Sequence, residues 1–362
     1  MKKLLYVHNA DYRGLAANKV QVLNMCAAFA KTGVEVSLLS FYCDATELKK
    51  TFGITPSFAL HSLTSNASYG MRSIRLYREI KKSFRNVEVV YTRDLLVAFL
   101  ASKLLSCPVI YELHELPASK IWWRLFAATY HSLKNCVVIS EGLAVALEAK
   151  GFAPEKLVVL HDGVFLEDFA IKDSVVAARK ALGLPKTKKI VMYVGSLKGW
   201  KGHDTFIEAA QHLSTKDVLF VSVGGRRDEV SDLRKKYPRL TFFSRQEHTK
   251  IPLFLRAADV LIIPNTAKEN ISALYTSPLK LFEYMAAQKP IVVSDLPSMR
   301  AIVSEKEVVF AKPDDARSFA KAIDMVLGSD AKQKTLAKNA FALAHEFSWE
   351  KRAQAIRELF IQ

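Results

Sequence analysis

The chain has 362 residues, 50% of them hydrophobic and 24% charged, with 52 Lys+Arg against 36 Asp+Glu for a formal net charge of +16. That length exceeds what one core usually serves and predicts two domains of about 150–200 residues each. No apolar run reaches the ~20 residues of a membrane span, the four cysteines form no CxxC pair, and the nine histidines lack metal-ligand spacing. Membrane-spanning, disulfide-scaffold and zinc-site classes are thereby set aside. The basic surplus suits an anionic partner: nucleic acid, an anionic membrane surface or a phosphate-bearing substrate. Its charges are dispersed, without a basic tail or nucleic-acid motif, so no nucleic-acid partner is expected.

In chain order, "MKKLLYVHN" has an apolar run too short for a signal peptide and reads as a first strand, which predicts a cytoplasmic protein. Further aliphatic runs follow at 35–42, 87–93, 108–115, 136–140 and 157–163, then at 190–196, 218–225, 240–245, 259–265, 291–295 and 308–311. Unbroken Val/Ile/Leu runs separated by helix-length amphipathic spacers indicate strands covered on both faces, hence βαβ units and two doubly wound parallel sheets. The seam follows LVVLHDG, where residues 164–188 are polar, Lys-rich and Pro-punctuated. The expected division is 1–170, 171–346 and a terminal segment 347–362.

In such sheets ligands collect in the loops after strands. Gly14, before a helix, allows close backbone approach or simply makes a turn. Neither GxGxxG nor GxxxxGK[ST] is present, which counts against a dinucleotide dehydrogenase or a P-loop NTPase. His114 stands between Glu112 and Glu115 in "YELHE", as a catalytic or a structural histidine. In "YVGSLKGWKGHD", Gly195, Ser196, Gly199, Lys201 and Gly202 precede a helix expected near Asp204. Backbone NH groups, a helix start and a lysine suit a diphosphate, and a solvated connector is the plainer reading. Gly224, in "VGG" before Arg226 and Arg227, adds a second loop of possible close approach. In "LYTSPLKLFEYMAAQKP", Ser277 is suited to cap a helix with Pro278 at its first position, leaving the NH groups near Leu279 to face an anion. Glu283 suits a pair of ribose hydroxyls, or else pairs with Lys280 on a solvated face.

Taken together, "VYTRD", "YELHE", "VVISEGL…LHDGVFLEDF", "YVGSLKGWKG", "SPLKLFEYMAAQKPIVVSDLP" and "FSWEKRA" resemble the family-four retaining glycosyltransferases of the GT-B fold (glycosyl transferases group 1). The resemblance implies an α/β architecture of two Rossmann-like doubly wound domains facing an interdomain cleft. Residues 1–170 would be the acceptor domain, 171–346 the nucleotide-sugar domain, and 347–362 a helix crossing back to the first. It implies that Glu283 binds ribose, Lys201 neutralises the diphosphate, and the amides near Thr276, Ser277, Pro278 and Leu279 cradle phosphate or sugar. It places His114 near the transferred sugar and Gly14 opposite the diphosphate.

Hinge closure is implied as well. The implied reaction is metal-independent hexosyl transfer from a UDP- or GDP-sugar, with no other cofactor, to an envelope-glycan or lipid-linked acceptor. Three positions depart from the family pattern. Tyr275 stands for its first glutamate, Ser196 for an arginine (leaving Lys201, Lys198 or Arg227 to carry phosphate charge), and Gln288 for a helix-terminal glycine. A nucleotide-sugar epimerase or hydrolase, or an idle glycan-binding protein on the same fold, are the other readings.

Arg72, Arg75, Arg78, Lys82 and Arg85 make a basic helical stripe opposite Ile74, Tyr77, Ile80 and Phe84, and "SKIWWRLFAATYHSLKN" mixes aromatics with Lys120, Arg124 and Lys134. An interfacial surface for anionic lipid and an ordinary solvated face fit equally. The first would make the protein peripheral at the inner face of the plasma membrane.

Overall fold

The computed structural model describes residues 2–197 and 199–361. The chain divides into two compact units, Met1–Asp162 with Trp349–Gln362, and Gly163–Ser348.

The first unit holds seven strands: β1 (Lys3–Asp11), β2 (Glu35–Phe41), β3 (Ala59–Leu63), β4 (Val89–Thr92), β5 (Val109–Leu113), β6 (Asn135–Val138) and β7 (Leu157–Val159). They pair in parallel in the order β3-β2-β1-β4-β5-β6-β7. Strand β3 is absent from the sequence reading. Its residues, Ala-Leu-His-Ser-Leu, lie at the sheet edge with none fully buried, so no aliphatic run is needed there. Conversely, β7 ends at Val159, short of the run read to 163.

The second unit holds β8 (Lys189–Val194), β9 (Val218–Val223), β10 (Thr241–Phe243), β11 (Val260–Ile263), β12 (Ile291–Ser294) and β13 (Val309–Ala311), ordered β10-β9-β8-β11-β12-β13. Along β8, Ile190, Met192 and Val194 enter one core cluster while Val191 and Tyr193 enter another. This period-two split buries both faces and explains the unbroken hydrophobic runs. In both sheets the order reverses beside the first strand, so the crevice of the second sheet opens after β8 and β11.

The division falls at Asp162/Gly163, earlier than the expected 170/171. Val164 bridges to Ser348, and Val164 and Phe169 lie in the second unit's core. The helix Trp349–Ile361 belongs to the first unit, where it packs on the helix Ala17–Lys31. It is held there by buried Arg352, whose Nε donates to the His161 carbonyl at 2.7 Å and whose Nη1 donates to Glu112 at 3.1 Å. Gln288 has a φ of 55°, a left-handed position that costs a non-glycine residue about 1 kcal/mol. Cys26, Cys43 and Cys136 are buried and Cys107 partly so, all as free thiols. Among the described residues, no helix is long and apolar enough to cross a membrane.

Candidate functional site

In the second unit, β8 runs out at Val194 into the turn Gly195–Ser196. Tyr193 donates its hydroxyl to the Ser196 carbonyl at 2.6 Å, and the Gly195 amide donates to Val223 at 2.9 Å. Gly224 has a φ of 144°, and a Cβ on it would lie 1.8 Å from the Gly195 carbonyl oxygen. Its glycine is therefore required by backbone packing between the β8 and β9 turns. Gly202 behaves likewise, with a Cβ there falling 1.6 Å from the Pro264 carbonyl oxygen. It opens the helix His203–Ala209 one residue ahead of the start expected at Asp204. Gly199 has open space around it.

Lys201 ends a 3-10 turn (Gly199–Lys201), half-buried, with its Nζ 3.5 Å from the centroid of the Trp200 ring. Lys198 lies outside the described residues. Arg227 is exposed on the first turn of the helix Arg227–Lys236, and exposed Arg226 pairs with Asp228 and Glu229.

After β11 the chain makes a π-helical turn, Ile271–Tyr275, a geometry that recurs at functional sites. Thr276 and Ser277 follow, both buried. The helix begins at Leu279 with Pro278 itself as the cap residue (φ −79°, ψ 115°) and no side chain capping it. The sequence reading placed Ser277 at that cap with Pro278 inside. The ring's fixed φ with an extended ψ instead puts the proline just outside the helix. The first-turn amides are left without a side-chain cap.

Within this helix, Leu279–Ala286, the buried Tyr284 hydroxyl accepts from the Val194 amide at 2.8 Å and fixes the helix to the end of β8. Glu283, its side chain 14% exposed, accepts a hydrogen bond from His248 Nε2 at 2.8 Å. Burial disfavours the imidazolium, but Glu283 outweighs it and, with Asp168, raises the His248 pKa above the usual value. The surface Lys280–Glu283 pair is not formed: Lys280 is buried, while Glu283 turns to the loop after β10. His248, in "RQEHTK", was missed by the sequence reading. Only its place after a strand of the second unit marks it.

In the first unit, His114 follows β5, and its Nε2 bonds Glu112 Oε1. Glu112 is fully buried and also accepts from Gln21 at 2.7 Å, from the Tyr91 hydroxyl and from Arg352. Burial would raise its pKa, yet Arg352 and His114 hold it well below the carboxylate range. An ionised Glu112 only accepts, so the Nε2 of His114 carries the proton. Burial, then Arg93, lowers the His114 pKa against the pull of Glu112, favouring a neutral ring with Nδ1 as acceptor. Glu115, the other flanking acid, is exposed. Gly14 is exposed, its carbonyl accepting from Lys19 Nζ at 2.6 Å. The nearest atom to a Cβ there is that Nζ, at 4.0 Å, so nothing in the fold demands glycine.

The structure thus collects Gly195, Ser196, Lys201, Tyr275 to Leu279 and Glu283 on the loops and helices around the second sheet's switch strands, and puts Gly14 and His114 in the first unit. Among the described residues, no cluster of three or more His, Cys, Asp or Glu is arranged to hold a metal ion.

The family model described as "Glycosyl transferases group 1" matches residues 176–342, and that described as "Glycosyltransferase Family 4" matches residues 19–168. A D-inositol 3-phosphate glycosyltransferase of Xylanimonas cellulosilytica is 23% identical over 223 residues, 58% of this chain and 52% of that protein. One from Mycobacterium tuberculosis is 27% identical over 219 residues, 57% of this chain and 44% of that protein. The chain therefore spans about half the length of the curated relatives it matches. The solved Anabaena HepE, in complex with UDP and glucose, superposes with a TM-score of 0.81 at 18% identity over 100% of both chains. At that identity the likeness speaks for the fold, which is GT-B. With one family model on each unit and this architecture beneath them, the chain belongs to the family-four, group 1 glycosyltransferases.

Proposed function

We propose that the protein is a retaining hexosyltransferase. In this reading it moves a hexose from a UDP- or GDP-sugar to an envelope-glycan or lipid-linked acceptor without a resident metal. The observation that carries the reading is Glu283: a largely buried carboxylate at the carboxyl end of the second sheet, oriented by His248, on a helix anchored to β8 just before the Gly195 turn. Two ribose hydroxyls match its remaining acceptor capacity. The UDP and glucose bound by the Anabaena protein, and the glycosyltransferase names of the curated relatives, favour a UDP-hexose.

In the proposed reaction the bond from the anomeric carbon to the β-phosphate oxygen breaks, and a bond to the acceptor hydroxyl oxygen forms on the same face. The hydroxyl proton passes to the departing phosphate. Lys201 and the turn amides stabilise the charge growing on the diphosphate. His114 accepts a hydrogen bond at Nδ1 from a hydroxyl of the transferred sugar. The acceptor is presented at an anionic membrane surface, with the exposed Met71 (59%), Ile74 (43%) and Ile121 (76%) among basic residues as the contact.

The test is incubation with a panel of nucleotide sugars and glycan acceptors, reading released nucleoside diphosphate with and without EDTA. One donor should turn over, unaffected by the chelator. Donor loss without acceptor would show a hydrolase or epimerase. Nucleotide binding without turnover across the panel would show an idle protein, the reading to which Ser196 and Tyr275 lend weight. Loss of activity with EDTA would refute metal independence.

A further inference from the structure

Lys280 occupies the second position of the helix Leu279–Ala286 and is 9% exposed. Its Nζ is buried with no hydrogen-bond partner among the described residues. Its Nζ lies 4.9 Å from the centroid of the Tyr193 ring, and Tyr193 in turn supports the Ser196 carbonyl, so the lysine reaches the underside of the β8 turn. Three elements meet it there: β8 with Tyr193, the turn Gly199–Lys201 with Lys201, and the helix His203–Ala209 with His203. Lys201 and His203 add no negative charge. Glu283, one turn further along its own helix, is engaged by His248.

A buried amine with no hydrogen-bond partner detracts from stability, and an apolar side chain of the same length would fill the space without that loss. Ser196, in the turn above, brings no charge. Two lysines from separate elements thus converge on a glycine turn at a sheet's switch point, where a multiply charged anion would supply the partner that Lys280 Nζ lacks.

We propose that Lys280 is a second phosphate-contacting residue of the donor site, which with Lys201 brackets the β8 turn and donates to the diphosphate oxygens of the bound nucleotide. The inference rests on the nucleotide-sugar reading given above and deepens it. Burial first, then Lys201, pushes the Lys280 pKa well below the usual lysine value. An incoming diphosphate reverses that balance, and the amine takes a proton from bulk water: one N–H bond forms at Nζ and no other bond changes.

The experiment is calorimetric titration of the full chain with UDP and with GDP at about pH 8, above the second phosphate ionisation near about 6. Each titration is run in two buffers of different ionisation enthalpy. The expected result is net proton uptake on binding. Lys280→Met should weaken diphosphate binding roughly 10- to 100-fold and abolish the uptake, with affinity for uridine or guanosine unchanged. An unchanged diphosphate affinity in the variant, or an equal loss for nucleoside and diphosphate, overturns the inference while leaving the donor reading intact. If the wild-type chain binds no nucleotide or nucleotide sugar, the donor reading fails and the inference with it. The thermal unfolding temperature of the variant reports on its fold. Should the variant not fold, the wild-type titration decides alone, and binding without proton uptake overturns the proposal.

Discussion

Glu283 and His248 show how one residue's role depends on another that local sequence does not mark. A carboxylate held by an imidazole at 2.8 Å keeps one orientation, so its remaining lone pairs are preset for further donors. In the proposed site those donors are ribose hydroxyls, and His248 acts through Glu283. The two residues should therefore fail as a unit. Glu283→Ala is expected to weaken nucleotide binding roughly tenfold or more, and His248→Ala by less. The double variant should be no weaker than Glu283→Ala alone, because the histidine has nothing left to orient. Dissociation constants for the four proteins of the cycle measure this. Losses that add would mean that His248 touches the nucleotide itself.

Among the elements, the helix Tyr69–Ser83 most changes its meaning once folded. The sequence pairs a basic stripe against Ile74, Tyr77, Ile80 and Phe84, but the buried positions are Ser73, Leu76 and Ile80. Ile74 and Met71 instead stand exposed alongside Arg75 and Arg78. Tyr69 meets Trp122 of the helix Lys120–Tyr130 at 6.1 Å between ring centroids, which joins this face to exposed Ile121. Apolar side chains exposed among cations favour an interface with anionic lipid over a plain solvated face, with each basic residue adding about 1 kcal/mol near such a surface. The protein should float with vesicles containing anionic lipid and not with neutral ones, and Met71→Glu with Ile121→Glu should abolish flotation. Equal flotation of wild type and variant would refute this surface.

Most strands are legible because both sheet faces are covered and each strand must be continuously apolar. Edge strand β3 is not, because it carries no such requirement. Glu283 and Lys201 stand out by position after strands. The burial of Lys280 does not: three residues from Glu283 on a helix, it reads as a surface pair, and only the Tyr193 ring and the end of β8 draw it inward. The constraints on Gly202 and Gly224 are equally invisible, since each is set by a backbone distant in sequence or on a neighbouring strand.

For the molecule as a whole, buried ionisable groups decide how stability responds to acid. His203, 5% exposed and sharing a 2.9 Å hydrogen bond with Ser222, is held down to a pKa of about 4, chiefly by burial. His8 and His114 in the first unit are also lowered, burial again leading. An unfolded histidine titrates near about 6.5, so below that pH the unfolded chain binds protons that the folded chain refuses. The contribution of these histidines is therefore full above about 6.5 and falls with decreasing pH toward the folded values, by about 3 kcal/mol for His203. Glu112 acts in a lower window. Its pKa is held well below the usual range in the folded state, so its contribution persists above the unfolded carboxylate value of about 4.3 and is lost only as pH drops beneath it. Urea unfolding followed from pH 7 to 5 should show a falling midpoint, since the three lowered histidines outnumber His248, whose raised pKa acts the other way. His203→Gln, which can still hydrogen-bond Ser222, should flatten that fall in the second unit. A midpoint independent of pH across this window would mean that the histidines are solvated and protonated in the folded protein.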